Sequence, residues 1–247
     1  MTLPTLKMAA KSGRESEYFQ SYSGDLCDDL RFEMLGDGLV IHLEQQPNNI
    51  RYKHSYSEQR FFKRAQQSNQ ALLKACNNKQ RSIKTVLDLT GGWGMDSFIL
   101  ACHGQSVTCI EQNTLVHKIS AYSLHCARAI KHSAMAANRV EMVHGDSVDY
   151  LRSHAKPGVY DCIYLDPMFP DHKSSAKPAK GLQILQKLTH NHDIATCFEL
   201  ALGKASMRVV VKSPAKSVAL FEDKPDLVYR ERTIRFEVFL IASHENY

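Results

Sequence analysis

No two of the seven cysteines stand in a C-x-x-C spacing, and their odd number does not suit a disulfide framework. Cys27, Cys76, Cys102, Cys109, Cys126, Cys162 and Cys197 are scattered, several of them in apolar runs where a thiol packs as a small hydrophobe, which fits a reducing cytoplasm. The twelve histidines form no H-E-x-x-H and no Cys/His quartet, so no metal site is expected. Apolar runs approaching the roughly 18 residues of a membrane span are missing, and Met1 to Arg14 lacks the hydrophobic core of a secretory signal, which argues against a membrane or secreted protein. Neither Ser97 nor Ser213 stands in a nucleophile elbow. Internal repeats and low-complexity tracts are also absent.

What is present suits one large α/β domain with a small appendage, since 247 residues can bury a sizeable core. The formal charge of +5, from 31 Lys and Arg against 26 Asp and Glu, only weakly favours a polyanionic partner. Its distribution is more informative. Residues 51–64 interleave the cations Arg51, Lys53, Arg60, Lys63 and Arg64 with Tyr52, Tyr56, Phe61 and Phe62, and Lys173, Lys177 and Lys180 follow further on. Cations for phosphates and rings for bases make a nucleic-acid surface. The same stretch also reads as a solvated helix whose Phe61 and Phe62 face the core.

Residues 1 to about 24 are polar and weakly patterned. Leu30 to Leu35 and Leu39 to Glu44 flank Gly36-Asp37-Gly38 and predict a hairpin, followed by a helical pattern from Ser57 to Ala75. Strands are then expected at Thr85 to Leu89, Ser106 to Ile110, Val140 to Val143, Asp161 to Leu165 and Met207 to Lys212. Helices are expected near Met95 to Cys102, Thr114 to Ser133, Gly181 to Leu188 and Asp193 to Leu202. Leu115, Ile119, Tyr122, Cys126 and Ile130 mark the buried face of the second helix, and His144 reads as a packed core histidine. Asp226 to Glu231 and Ile234 to Ile241 predict an antiparallel edge hairpin. This alternation predicts an α/β fold with a mostly parallel, seven-stranded sheet of the Rossmann-like class I methyltransferase kind and a hairpin/helix appendage. The boundary falls between residues 1–80 and 81–247.

Asp88 closes the first strand of that sheet, and Gly92 and Gly94 follow where the backbone must turn sharply and approach a ligand. Glu111 ends the second strand, placed to accept ribose hydroxyls; Asp146 and Ser147 end the third, where adenine would lie; Asp166 ends the fourth. Each carboxylate alone reads as a helix cap or a surface charge, but the ordered set lines the sheet edge where open α/β folds bind ligands. NAD is disfavoured by Ser97 at the third-glycine position and by the acidic neighbours, Asp88 and Asp96 among them. These suit the sulfonium and ammonium of S-adenosylmethionine.

Asp166-Pro167-Met168-Phe169-Pro170 follows the apolar run Cys162-Ile163-Tyr164-Leu165. Alone it reads as an ordinary turn. Beside a nucleoside cofactor it reads as a grip on an exocyclic amine, with the Asp166 side chain and the Pro167 carbonyl accepting its two N–H bonds and Phe169 stacking on the ring.

The D-x-T-x-G-x-G turn from Asp88 to Gly94, Glu111, Asp146-Ser147 and the L-D-P-M-F-P string ending at Pro170 together resemble the RsmJ family. The resemblance runs over about residues 25–242 and includes the Val209-Val210-Val211-Lys212-Ser213-Pro214 segment. It implies S-adenosylmethionine-dependent methylation of a guanosine N2 amine in 16S ribosomal RNA, with naked RNA or the small subunit as partner. It also implies cofactor contacts at Met95, Asp96, Glu111, Gln112, Asp146, Ser147 and Asp166. Catalysis would rest on Asp166, Pro167 and Phe169, and RNA contacts on Arg60, Lys63, Arg64, Lys173 and Lys177. Met95 stands where the family usually has arginine. The same grip would serve adenine N6 or a glutamine amide, and a nonenzymatic RNA-binding assembly factor could share the fold.

Overall fold

The computed structural model describes residues 30–44, 49–67, 70–77, 82–168, 179–189 and 193–242. The polar extension at residues 1–24 lies outside them. Strands β1 (Leu30–Leu35) and β2 (Gly38–Leu43) form the expected antiparallel hairpin, and β3 (Ile50–His54) adds to β2 with Ile41 opposite Tyr52. The third strand was not anticipated, because its cations drew it into the helix and nucleic-acid readings. Its burial alternates, Ile50 and His54 inward and Arg51 and Lys53 outward, as a half-buried strand requires.

The helical pattern from Ser57 to Ala75 divides into α1 (Gln59–Ala65) and α2 (Ala71–Ala75). Glu58 caps α1, its carboxylate accepting from the Arg60 and Phe61 N–H groups at 3.1 and 2.8 Å. From here the chain alternates: β4 (Thr85–Asp88), α3 (Met95–Cys102), β5 (Ser106–Glu111), α4 (Thr114–Ala129), α5 (Ala134–Ala137) and β6 (Val140–His144). It continues through α6 (Ser147–Ser153), β7 (Tyr160–Leu165), α7 (Lys180–Leu188), α8 (Ile194–Leu202), β8 (Ala205–Pro214), β9 (Leu227–Arg230) and β10 (Ile234–Leu240). The large sheet has the order β6-β5-β4-β7-β8-β10-β9; β4 to β8 run parallel, and β10 pairs antiparallel with both β8 and β9. This is the expected seven-stranded arrangement, with α5 and α6 added.

Strand parity sorts side chains onto the two faces. Cys162, Tyr164 and Val210 point to the face that packs Phe98 of α3, whereas Ile163, Leu165, Val209 and Val211 point to the face that packs Phe198 of α8. Residues 56–76 share the first core, through Tyr56, Phe61, Phe62 and Leu72. A further core joins the three-stranded sheet to α4, α7 and Trp93. Helix α4 is therefore buried on two sides, with Leu115, Ile119, Tyr122 and Cys126 toward the small sheet and Leu124 and Ala127 toward the large one. Among the described residues no helix is long and apolar enough to cross a membrane.

Candidate active site

Four acidic residues follow four parallel strands at one edge of the sheet. Asp88 is buried at the end of β4: its Oδ2 accepts from Ser97 Oγ at 2.6 Å, and its Oδ1 from the Thr90 N–H at 3.0 Å. Burial pushes its carboxyl up to about 6, against those hydrogen bonds. Glu111 is buried at the end of β5, where its two oxygens accept from the N–H groups of Gly92 at 2.7 Å and Asn113 at 2.6 Å. Burial raises its carboxyl as well. One residue thus ties the glycine turn to the next strand. Gln112 follows, half-buried, its carbonyl 3.1 Å from His144 Nε2.

The glycine turn is as sharp as expected, with Gly92 at φ 51° and Gly94 at φ 63° heading α3. The space each leaves is used by the protein itself. A Cβ on Gly94 would stand 2.5 Å from the Tyr56 hydroxyl, which donates to Trp93 O at 2.7 Å; one on Gly92 would stand 3.1 Å from Leu185 Cδ2. Helix α7 lies over the turn, held where Trp93 Nε1 donates to Gly181 O at 2.8 Å and Asn113 Nδ2 donates to Leu188 O at 2.5 Å. His54 is buried beside this turn, its ring 4.9 Å from Tyr56 and 5.3 Å from Trp93, and burial pushes its pKa down to about 3.

Asp146 is exposed and caps α6, accepting from the Val148 and Asp149 N–H groups at 2.8 and 3.0 Å. Ser147 is buried and donates to Leu89 O at 2.5 Å. His144 is exposed rather than packed in the core, because β6 is an edge strand; its Nε2 lies 3.0 Å from Thr114 Oγ1. Met95 is half-buried at the start of α3, between two cores.

Asp166 is bonded to the glycine turn and to β8. Its N–H donates to Thr90 Oγ1 at 2.6 Å, and its Oδ2 accepts from Lys212 Nζ at 2.7 Å. Lys212 also donates to Asp96 Oδ2 at 2.8 Å, and the Tyr164 hydroxyl reaches the same oxygen at 2.7 Å. Burial opposes ionisation of Asp96, but Lys212 and Tyr164 outweigh it and hold its carboxyl below the ordinary range. For Asp166, burial with the like charge of Asp96 outweighs Lys212, so its carboxyl lies above that range. Lys212 is itself pulled down by burial, yet the two carboxylates raise it well above an ordinary lysine. Lys212 and Tyr164 were not among the residues expected at the site. Their signal was strand parity: Leu165 pairs with Val211, so the next residues, Asp166 and Lys212, are adjacent. Pro167 is buried; Phe169, Lys173 and Lys177 lie outside the described residues.

The basic and aromatic stretch separates by residue type. Phe61 and Phe62 are buried against Phe98 at ring distances of 5.9 and 6.3 Å, so they serve the core and not base stacking. Arg60, Lys63 and Arg64 are exposed. Helix α1 runs alongside α3 and away from the glycine turn, because Ala65 O meets His103 Nε2, past the far end of α3, at 3.0 Å.

Carboxylates at successive strand ends, with a glycine turn between two of them, would repel a pyrophosphate and attract the sulfonium and ammonium of S-adenosylmethionine. Asp88, Asp96 and Glu111 lie at that edge and could hold it. Fold and site thus define a Rossmann-like methyltransferase. The chain belongs to the family described as "Putative SAM-dependent methyltransferase", which matches residues 28–241, and S-adenosylmethionine is its cofactor. It is 26% identical over 222 residues to ribosomal RNA small subunit methyltransferase J of Francisella tularensis subsp. novicida, covering 86% of this chain and 91% of that protein. The protein of the same name from Francisella philomiragia is 30% identical over 172 residues, 68% of this chain and 71% of that one. Among solved structures, a SAM-dependent methyltransferase of Neisseria gonorrhoeae shares the fold with a TM-score of 0.70 at 21% identity, covering 95% of this chain and 94% of that one.

Proposed function

We propose that this methyltransferase acts on the exocyclic N2 amine of a guanosine in small-subunit ribosomal RNA, as a member of the RsmJ family. The observation that carries the reading is Asp166, fixed through its N–H and one carboxylate oxygen at the acidic sheet edge and followed by a buried proline. The ribosomal RNA substrate named for the two Francisella relatives supports the choice of RNA.

Bound S-adenosylmethionine supplies an electrophilic methyl carbon. The chain's own part is to hold a weak nucleophile in line, since the guanine amine's lone pair is delocalised into its ring. Asp166 and the Pro167 carbonyl accept the two amine N–H bonds, and Asp166 stabilises the charge that develops on nitrogen. No strong base is needed before attack. Because the amine is paired in duplex RNA, the nucleotide flips out, costing about a few kcal/mol. Exposed Arg60, Lys63 and Arg64, within an N-terminal part spanning residues 1–80, bind phosphates away from the reacting base. Ribosomal RNA as substrate places the protein in the cytoplasm.

Mass mapping of ribosomal RNA from cells lacking the protein should show one guanosine losing a single methyl. Purified protein should restore it on naked RNA or on small subunits. An unaltered methylation map would reject the substrate. Transfer to DNA adenine or to protein glutamine instead would move the same amine grip to another substrate.

A further inference from the structure

Lys212 has no assigned part in the reaction, yet the fold brings it to the proposed reacting edge. Tyr164, Asp166, Val210 and Lys212 alternate along β7 and β8, and Asp166 and Lys212 continue the pairing of Leu165 with Val211. Their shared face is the one toward α3, whose first turn carries Asp96. We propose that Lys212 is a positioning residue for methyl transfer, its ammonium holding Asp166 by Oδ2 and leaving Oδ1 as the ionised acceptor for the substrate amine. The proposal rests on the amine-methylation reading above.

The geometry assigns the two oxygens different tasks. Oδ2 accepts from Lys212 at 2.7 Å, whereas Oδ1 has no hydrogen-bond partner among the described residues. Main-chain freedom is removed as well, because the Asp166 N–H is bonded to Thr90 Oγ1 and Thr90 is bonded through its N–H to Asp88. A structural ion pair is the simpler alternative, and the pH dependence of the rate and rescue by Lys212→Arg separate it from a positioning role, because a purely structural pair would not move the rate with pH.

The surrounding charges indicate what the ammonium does. Asp166 faces Lys212 from β8, Asp96 from α3, Asp88 from the end of β4 and the Tyr164 phenol from β7. Without Lys212, Asp96 and Asp166 are like charges in a partly buried site, and one binds a proton. A protonated carboxyl no longer balances the charge developing on the amine, and an unclamped one leaves the attack geometry.

Lys212→Met tests this, with Lys212→Gln as the substitute should the first not fold and Lys212→Arg as the conservative variant. Single-turnover methylation of small-subunit RNA at saturating cofactor should fall about 100-fold in Lys212→Met, the scale of a misplaced reacting group. KM for RNA should stay near wild type, and saturating cofactor offsets any weakening that follows from releasing Asp96. Raising the pH above neutrality should restore part of the rate as Asp166 ionises, and Lys212→Arg should retain most of it. Carbon-13 NMR of the aspartate carboxyls, with Asp166 assigned by its loss in Asp166→Asn, should show Asp166 titrating at higher pH once Lys212 is gone. A wild-type rate in folded Lys212→Met, or an Asp166 titration that does not move, overturns the proposal. The carboxyl titration needs no substrate. If wild-type protein methylates no ribosomal RNA, the proposed substrate fails, while the NMR result still decides the role of Lys212.

Discussion

Gly94→Ala probes how the N-terminal segment supports the cofactor turn, and Tyr56→Phe shows which contact is responsible. At φ 63° an alanine is strained, at about 1–2 kcal/mol. Its Cβ would also stand 2.5 Å from the Tyr56 hydroxyl, too close for either to stay. If the hydroxyl moves, it loses its 2.7 Å bond to Trp93 O and leaves a buried carbonyl unpaired, for about 1–3 kcal/mol. Gly94→Ala should therefore cost about 2–5 kcal/mol in all. Tyr56→Phe alone breaks the same bond, for about 1–3 kcal/mol, but leaves ring carbon Cζ at 3.6 Å from the new methyl, an ordinary contact. The bond can be lost only once, so the double variant should cost less than the sum of the singles by about 1–3 kcal/mol. Urea denaturation of the four proteins gives the cycle, and calorimetric titration should show cofactor affinity falling in Gly94→Ala. Additivity within about 0.5 kcal/mol would mean the two groups do not compete for that space.

Asp166→Ala should lower the single-turnover rate by orders of magnitude with the fold intact, and Asp166→Asn should keep some activity through its amide oxygen; near-normal rates for the alanine variant would refute the amine grip. Glu111→Gln sets an amide NH₂ against one of two backbone donors, so it should cost about 1.5–3 kcal/mol and weaken S-adenosylmethionine binding; unchanged affinity in a folded variant removes Glu111 from the cofactor site. Asp88 titrates at about 6 when folded, above its unfolded value, so the folded state binds the extra proton. Its contribution to stability is therefore full in acid and is lost as pH rises through about 6, a change of roughly 3 kcal/mol that Asp88→Asn should abolish. Denaturant titrations on both sides of that window test it, and a wild-type minus variant difference independent of pH would contradict burial as the cause. Replacing Arg60, Lys63 and Arg64 together should lower RNA affinity and flatten its dependence on salt without changing cofactor affinity; an unchanged slope would mean α1 is only a solvated helix.

Much of the chemistry was legible along the chain because it depends on local order. Asp88, Gly92, Gly94, Glu111 and Asp166 could be placed at turns and strand ends from hydrophobic periodicity and glycine alone, since a parallel sheet puts every strand's C-terminal end at one edge. The seven-stranded sheet followed from the same alternation. Strand β3 escaped because its outward Arg51 and Lys53 look like part of a basic helix unless period two is tested first. His144 was misjudged because an apolar run does not reveal that its strand lies at the sheet edge.

Which of those residues touch one another depends on distances that sequence separation does not encode. Lys212 lies 46 positions from Asp166 and 116 from Asp96, yet register and parity bring all three within hydrogen-bond reach. Phe61 and Phe62 could have served bases or core on pattern alone; packing against Phe98 decided for the core. Gly94 could be assigned to a turn from its neighbours, but the hydroxyl that makes a side chain intolerable there belongs to Tyr56, on a different segment. Local sequence thus determined the periodic elements and the order of the acidic strand ends, because both are set by neighbours in the chain. Tertiary structure alone decided how those carboxylates are paired, buried and shifted in pKa, because electrostatics and close packing act through space.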